Sequence, residues 1–317
     1  MILDLIRDNL DGDSWEKMCD SCYRDRYQDK NFVKIPAEYM GDTGIEGFTS
    51  TGIVYQCYCP EKNYSNDDLY EHLRNKVTKD IAKLIDKDNA KRLNDIGVKI
   101  IKEWHFVIPE YKDKRIVEHL EKKRKEVVAA AQADPKTFSY IDPGIQLVPK
   151  IAEDFKVELV RLIRNPLVDL KLNAAVKSIQ SLDWSTCPAE KIENIKRKIR
   201  AIMSADEQDT SFKEMIAFWA EAYLKGIEIM RLLQESCGTI YEDLYDLEQQ
   251  YKRNVAIRSH MNPDHSLNYP IFMDILEKFE QSIKEQFECF SAPTIMELKI
   301  DLVSGWLADC SLQFKAE

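Results

Sequence analysis

Residues 41–59 hold an unusual concentration of groups that could do chemistry. Gly41, Gly44, Gly47 and Gly52 are four of only ten glycines in 317 residues, where ordinary usage of about 7% would give roughly 22. Glycine crowded into one stretch signals special backbone geometry there. Residues 44–48 and 53–59 read as two short strands, with Thr49, Ser50, Thr51 and Gly52 as the hairpin turn between them. Strand alternation puts Val54, Gln56 and Tyr58 on one face and Tyr55, Cys57 and Cys59 on the other, while Gly44, Glu46 and Phe48 share a face of the neighbouring strand. Glu46 and Gln56 therefore come side by side. A carboxylate and an amide carbonyl are hard oxygen ligands suited to Mg²⁺ or Mn²⁺, with water and a substrate phosphate completing the shell. The glycines beside Glu46 are expected to let a phosphodiester backbone approach closely.

The elements that must position these groups follow from periodicity. Ser14 is the expected cap of a helix whose apolar residues Trp15, Met18, Cys19 and Cys22 recur at helical spacing, with Tyr23 and Tyr27 extending the face. Residues 32–35 form a short β-type run. Asn66 or Asp67 is expected to open a helix bearing Leu69, Leu73, Val77, Ile81 and Leu84, followed by a strand at 98–109 and a charged helix from Asp113 to about residue 131. A last strand reached through a crossover is parallel to a neighbour, so residues 1–149 read as a mixed α/β domain with helices flanking a central sheet. From residue 150 the texture is helical, punctuated by Pro166, Pro188, Pro263, Pro270 and Pro293, and residues 150–317 read as an all-α domain for interaction or oligomerisation. The apolar stripe of residues 212–234 is read as bundle core rather than a ligand groove.

The run Gly41-Asp42-Thr43-Gly44-Ile45-Glu46-Gly47, followed by Gln56-Cys57-Tyr58, resembles the signature of the restriction-endonuclease-like PD-(D/E)XK superfamily, closest to its Mrr-like branch. The family pattern is G-D-x-G-x-D-G on one strand and Q-x-K on the next, with a glutamate on the preceding helix, a position matched by Glu16. The resemblance covers roughly residues 14–130. It implies a metal-dependent DNA endonuclease that uses Mg²⁺ or Mn²⁺ held by Glu16, Asp42, Glu46 and Gln56, and a bacterial role in defence against phage or plasmids. Tyr58 stands where the family has its lysine, and tyrosine supplies no cation to the transition state. One reading moves that function to the following helix, which carries Lys76 and Lys79. The other makes the domain a catalytically inactive nuclease-fold subunit that docks DNA or a partner ATPase.

Other features have simpler readings. Glu16 on its own suits the N-terminal dipole of a helix, and Asp42 suits a glycine-rich turn. Cys19-x-x-Cys22 and Cys57-x-Cys59 have poor spacing for zinc and are read as buried thiols. His105 is read as a core or cleft histidine, and His260 and His265 flank Pro263 without a third ligand. The basic run at 112–126, with Lys114, Arg115, Lys122 and Lys123, is a candidate DNA contact together with Lys79, but its interleaved glutamates also fit a solvated helix. A second basic helix, 192–200, carries an ordinary buried isoleucine stripe.

A formal charge of -10 and a pI near 5.2 argue against nucleic-acid binding by bulk attraction. A mean hydropathy of -0.43 and the lack of a long apolar run indicate a globular chain with no membrane span. Asp4 and Arg7 interrupt the apolar start, which fits neither a signal sequence nor a transit peptide, so a cytoplasmic location is expected. The apolar stripes of the helical half are expected to bury a second copy or a co-encoded partner, which would bring two nuclease sites together on a duplex.

Overall fold

The first element, α1 (Ile2–Ile6), belongs with the C-terminal helices, and the chain divides into two compact units, Arg7–Leu162 and Met1–Ile6 with Ile163–Glu317. The computed structural model describes residues 1–7, 10–36, 43–61, 64–168, 170–174, 187–203, 208–309 and 314–315. The sequence division at residue 150 falls at the end of the last strand, and the first unit continues to Leu162.

In the Arg7–Leu162 unit the chain runs through α2 (Gly12–Arg26), β1 (Val33–Lys34), β2 (Gly47–Phe48), β3 (Ile53–Cys57), α3 (Asn66–Leu84), α4 (Lys87–Asp95), β4 (Ile101–Val107), α5 (Arg115–Ala133), β5 (Ile141–Lys150) and the start of α6 (Lys156–Ile163). The five strands form one mixed sheet in the order β1-β2-β3-β4-β5. The β1-β2 and β2-β3 pairs are antiparallel, and the β3-β4 and β4-β5 pairs are parallel. The parallel pairing of β3 with β4 follows from the crossover through α3 and α4. Two elements escaped the sequence reading. In β5, Pro143, Gly144 and Pro149 look like breakers, and an edge strand tolerates them because one side of its backbone needs no ladder partner. The short helix α4 is capped by Asp86, which accepts from Asp88 and Asn89 at 3.0 Å.

Alternation along the central strands builds the layers. Val54, Trp104 and Phe106 face a buried cluster with Leu69, Leu73, Val77 and Ile81 of α3 and Ile116, Leu120 and Val127 of α5. Tyr55 and His105 face α2, where Tyr23 stacks on Tyr55 at 4.1 Å and meets His105 Nδ1 at 2.7 Å through its hydroxyl. Trp15 Nε1 donates to the Val107 carbonyl at 3.2 Å and fixes the helix at the far end of β4. Helix starts differ in detail from expectation. Asp11, not Ser14, caps α2: Ser14 N donates to Asp11 Oδ1 at 2.7 Å and Asp11 N to Ser14 Oγ at 2.8 Å, a reciprocal box that starts the helix earlier. Ser65 caps α3 by accepting from Asp68 N at 3.2 Å.

The helical unit contains α7 (Ala189–Met203), α8 (Thr210–Ser236), α9 (Gly238–His260), α10 (Asn268–Gln286) and α11 (Ala292–Ala308). Trp306 of α11 is fully buried beside Phe279, at 4.8 Å, and Trp219 packs edge-on against Phe272 at 5.6 Å. Phe212, Ile216, Trp219 and Leu233 of α8 are core, as the stripe implies, but Ile227 is 52% exposed. No helix among the described residues is long and apolar enough to cross a membrane.

Two glycines next to Glu46 have packing roles, which corrects the expectation that they open the site to a phosphodiester. A Cβ on Gly44 (φ +86) would lie 2.4 Å from the Asp80 carbonyl and 3.1 Å from Leu84 N, so this residue lets the strand touch α3. At Gly47 a Cβ would meet the Tyr55 and Phe32 rings at 2.7 and 2.9 Å. Gly97 shares a left-handed φ of +90 with no atom within 4 Å. Gly97→Ala should therefore cost only the conformational penalty of about 1–2 kcal/mol, and Gly44→Ala clearly more, read as the shift in urea midpoint. Equal losses at the two positions would refute the close approach of Gly44 to α3.

Candidate functional site

The site forms where β2 ends and β3 continues. The β2-β3 register of Gly47 with Tyr55 and Phe48 with Val54 carries on to set Glu46 opposite Gln56. Glu46 N donates to the Tyr55 carbonyl at 2.7 Å, and the Glu46 carbonyl accepts from Ile35 N at 2.8 Å. One position further along β3, beyond the last pair of the β2-β3 register, the amide of Cys57 faces the same edge, where a ladder carbonyl would otherwise stand. The Glu46 side chain takes that place: Oε2 accepts from Cys57 N at 3.2 Å and from Cys57 Sγ at 2.7 Å, while Oε1 accepts from Gln56 Nε2 at 2.5 Å. Trp104 Nε1 holds the Gly44 carbonyl at 3.0 Å and anchors the segment that carries Glu46.

Burial pushes the Glu46 carboxyl up to about 7, and the nearby Glu16 charge adds to the rise, while the Cys57 hydrogen bonds and Lys76 oppose it. Burial also raises the Cys19 thiol, and the Cys57 thiol, hydrogen-bonded with Cys19, is held high as well, so both stay protonated at neutral pH. Gln56 is 1% exposed, and among the described residues its Oε1 has no hydrogen-bond partner. Turning the amide over would only move the problem, setting Oε1 against the Glu46 carboxylate and leaving Nε2 facing the wrong way. Only in that turned orientation would a proton or a cation between the two side chains bring relief, because as it stands Nε2 already donates to Glu46 Oε1.

Glu16, Glu46, Tyr58 and Lys76, four of the residues singled out in the sequence, line one pocket of about 490 Å³. Glu16 reaches it from α2 and bonds Lys34 at 3.1 Å. Lys76 reaches it from α3, where Asp80, fully buried, holds its ammonium at 3.1 Å. Gln56 lies behind Glu46. Asp42 lies outside the described residues. Lys79 is exposed on α3 and does not line the pocket. Lys114, Arg115, Lys122 and Lys123 lie at the start and along the middle of α5, away from the pocket lining, with Arg115 engaged by Asp67 and Asp113 and Lys123 by Glu126 at 2.7 Å.

The sequence reading missed Asp11, Asp13 and Glu61, which also line the pocket. The helix-capping aspartate before Gly12 was the available signal for the first of these. Among the described residues of the lining, Asp11, Asp13, Glu16, Glu46 and Glu61 outnumber one ammonium, Lys76, with Lys34 pairing Glu16 from outside the lining, a balance that favours cations over a bare phosphate. Among the described residues no three His, Cys, Asp or Glu side chains converge as a metal-ligand group. Of the ligands expected from the sequence, Glu16 and Glu46 line the pocket, whereas Gln56 lies behind and turns its Nε2 to Glu46. Cys19, Cys22 and Cys57 are buried free thiols, Cys59 is half-buried on the pocket wall, and His105 is a core histidine whose Nε2 meets Glu103 at 2.9 Å.

No family model matches this chain, and no solved structure matches it significantly. It is similar to Kinesin-like protein KIN-12D of Arabidopsis thaliana, at 22% identity over 333 residues that cover 87% of this chain and 12% of that protein. The chain thus spans about an eighth of the length of that relative.

The raised Glu46 carboxyl makes a pH-dependent prediction. Its folded value near 7 lies above the ordinary 4.5, so its stabilising contribution is complete below about pH 4.5 and is lost as pH rises through about 7. Glu46→Gln keeps the shape without the charge. In EDTA its urea midpoint should gain on the wild type between pH 5 and pH 8, and a difference that does not change with pH would contradict the burial of this charge.

Proposed function

We propose that the Arg7–Leu162 unit is a restriction-endonuclease-like domain, closest to the Mrr-like branch, and that it is a Mg²⁺- or Mn²⁺-dependent DNA endonuclease serving bacterial defence. The observation that carries this reading is the meeting of Glu16, Glu46, Tyr58 and Lys76 on one pocket, although they come from α2, the β2-β3 hairpin and α3. A divalent ion held by Glu46, Gln56 and Glu16 would supply Lewis-acid polarisation of a phosphoryl oxygen and a more acidic attacking water. Lys76 is the cationic donor left to the chain, in the place Tyr58 cannot fill, and Asp80 preorganises its ammonium at the pocket wall. Helix α3 thus does the work that the family assigns to the strand. The acidic pocket keeps DNA phosphates out until a cation neutralises it, which suits an effector held inactive in its host. The helical unit would pair two copies, or one copy and a co-encoded partner, across a duplex.

A second reading, the inactive subunit that docks DNA or a partner ATPase, is favoured by the saturation of Glu46. Its two oxygens already accept from Gln56 Nε2, Cys57 N and Cys57 Sγ, an arrangement that also serves to finish the sheet edge.

Supercoiled plasmid incubated with the full chain and Mg²⁺ or Mn²⁺, with and without its genomic neighbours, separates the two. Glu46→Ala should abolish nicking, and Lys76→Ala should lower the rate on the order of 10²- to 10³-fold, as loss of a preorganised charge at a phosphoryl transition state does. Tyr58→Phe and Lys79→Ala should stay close to wild type. Full activity in Glu46→Ala would refute the site, whereas an inert wild type activated by Tyr58→Lys would establish the second reading.

A further inference from the structure

We propose that the helical unit carries a binding site for a small alkylammonium ion, with Asp301 as its counter-charge and tyrosine rings as its walls. The site is a cleft of about 350 Å³ between α8, α9 and α11. It exists because of Gly226: a Cβ there would lie 2.5 Å from the Asp301 carbonyl, so the glycine lets α11 approach α8 closely enough to bring Asp301 to the cleft.

Asp301 is 5% exposed and lines the cleft, yet among the described residues its carboxylate has neither a hydrogen bond nor an ion pair. The other charged groups of the lining are matched. Glu248 Oε1 accepts from Trp306 Nε1 and from Lys252 Nζ, each at 2.9 Å. Arg231 bridges Glu228 at 2.6 Å and Glu235 at 2.5 Å, and Asp309 pairs with Lys191 at 2.8 Å. The unmet charge of the cleft is therefore one carboxylate, and its complement is a single positive charge. Lys225, whose field also reaches Asp301, is taken by Glu221 at 2.7 Å, while Glu221 and Glu297 add negative potential. Burial pushes the Asp301 carboxyl up to about 7 against the opposing field of Lys225.

The walls identify the kind of cation. Tyr223, Tyr241 and Tyr245 line the cleft with Ile227 and Met230, and the rings of Tyr241 and Tyr245 stack at 6.0 Å. Tyrosine faces attract ammonium groups, and apolar side chains accept an alkyl substituent. A divalent metal would need several oxygens where the cleft offers one free carboxylate. Tyr245 and Ile227 are 44% and 52% exposed at the rim, so a ligand has a path in.

Calorimetric titration of the full-length chain with butylammonium and tetramethylammonium chloride, against NaCl at equal ionic strength, tests this. The expected result is saturable binding of at least one ammonium salt, weakened about tenfold or more in Asp301→Asn. Above about pH 7, where the Asp301 carboxyl is ionised, that variant should also melt at a higher temperature than the ligand-free wild type, because it removes an unpaired buried charge. Tyr245→Ala, at the exposed rim where folding is not at stake, should weaken binding severalfold and carries the test if Asp301→Asn does not fold. Absence of saturable binding, or affinity unchanged in either variant, overturns the proposal. Because the cleft lies in the helical unit, Glu46→Ala should bind the ammonium normally, which separates this result from any failure of the nuclease reading.

Discussion

A carboxylate inside a protein must find donors, a proton or a cation, and much of the Arg7–Leu162 unit is arranged around how Glu46 meets that demand. The β2 strand is two residues long, and β3 outruns it. The amide of Cys57 would be left without a ladder partner if the Glu46 side chain did not fold back to accept from it. The same placement sets the carboxylate against Gln56 and Cys57 and on the wall of an acidic pocket. Its local geometry depends in turn on Gly44, which lets the strand rest on α3, and on Trp104, whose indole holds the Gly44 carbonyl. Helix α3 then supplies both the buried Asp80 and the Lys76 that it holds.

Two carboxyls among the described residues, Glu46 and Asp301, share a similar acidity in opposite surroundings. Glu46 and Asp301 are both driven to about 7 by desolvation. Glu46 is compensated by three donors and sits where several other acids converge. Among the described residues Asp301 has no donor, while the other charged groups of its cleft are paired. A fully bonded carboxylate can be explained by the sheet edge alone. An uncompensated one weakens the fold that contains it, which is why the second carries an inference about a ligand beyond the architecture.

Much of the architecture was legible in the sequence because period and composition are local properties. The spacing of Leu69, Leu73, Val77 and Ile81 defines the buried face of α3, and the apolar run around Trp104 defines a strand whose crossover requires parallel pairing. The pairing of Glu46 with Gln56 followed from strand alternation and hairpin register. Less legible were elements whose residues argue against them: β5 contains two prolines and a glycine and survives as a strand by lying at the sheet edge. Asp11 and Ser14 form their cap jointly, so reading Ser14 alone as the cap starts α2 too late.

The sequence by itself determined which groups could do chemistry and the order of the elements that carry them, since both depend on residue type and on repeats of two or three to four positions. Only the tertiary structure decided which groups meet. It brought Lys76 and left Lys79 outside, a choice set by one step of about 100° around α3 for each residue. It assigned Gly44 and Gly47 to packing by placing a helix backbone and two aromatic rings where their side chains would have been. It also added Asp11, Asp13 and Glu61 to the pocket and, among the described residues, left the Asp301 carboxylate without a hydrogen bond or ion pair. Burial and charge compensation are sums over neighbours far apart in the chain, and no local pattern of residues contains them.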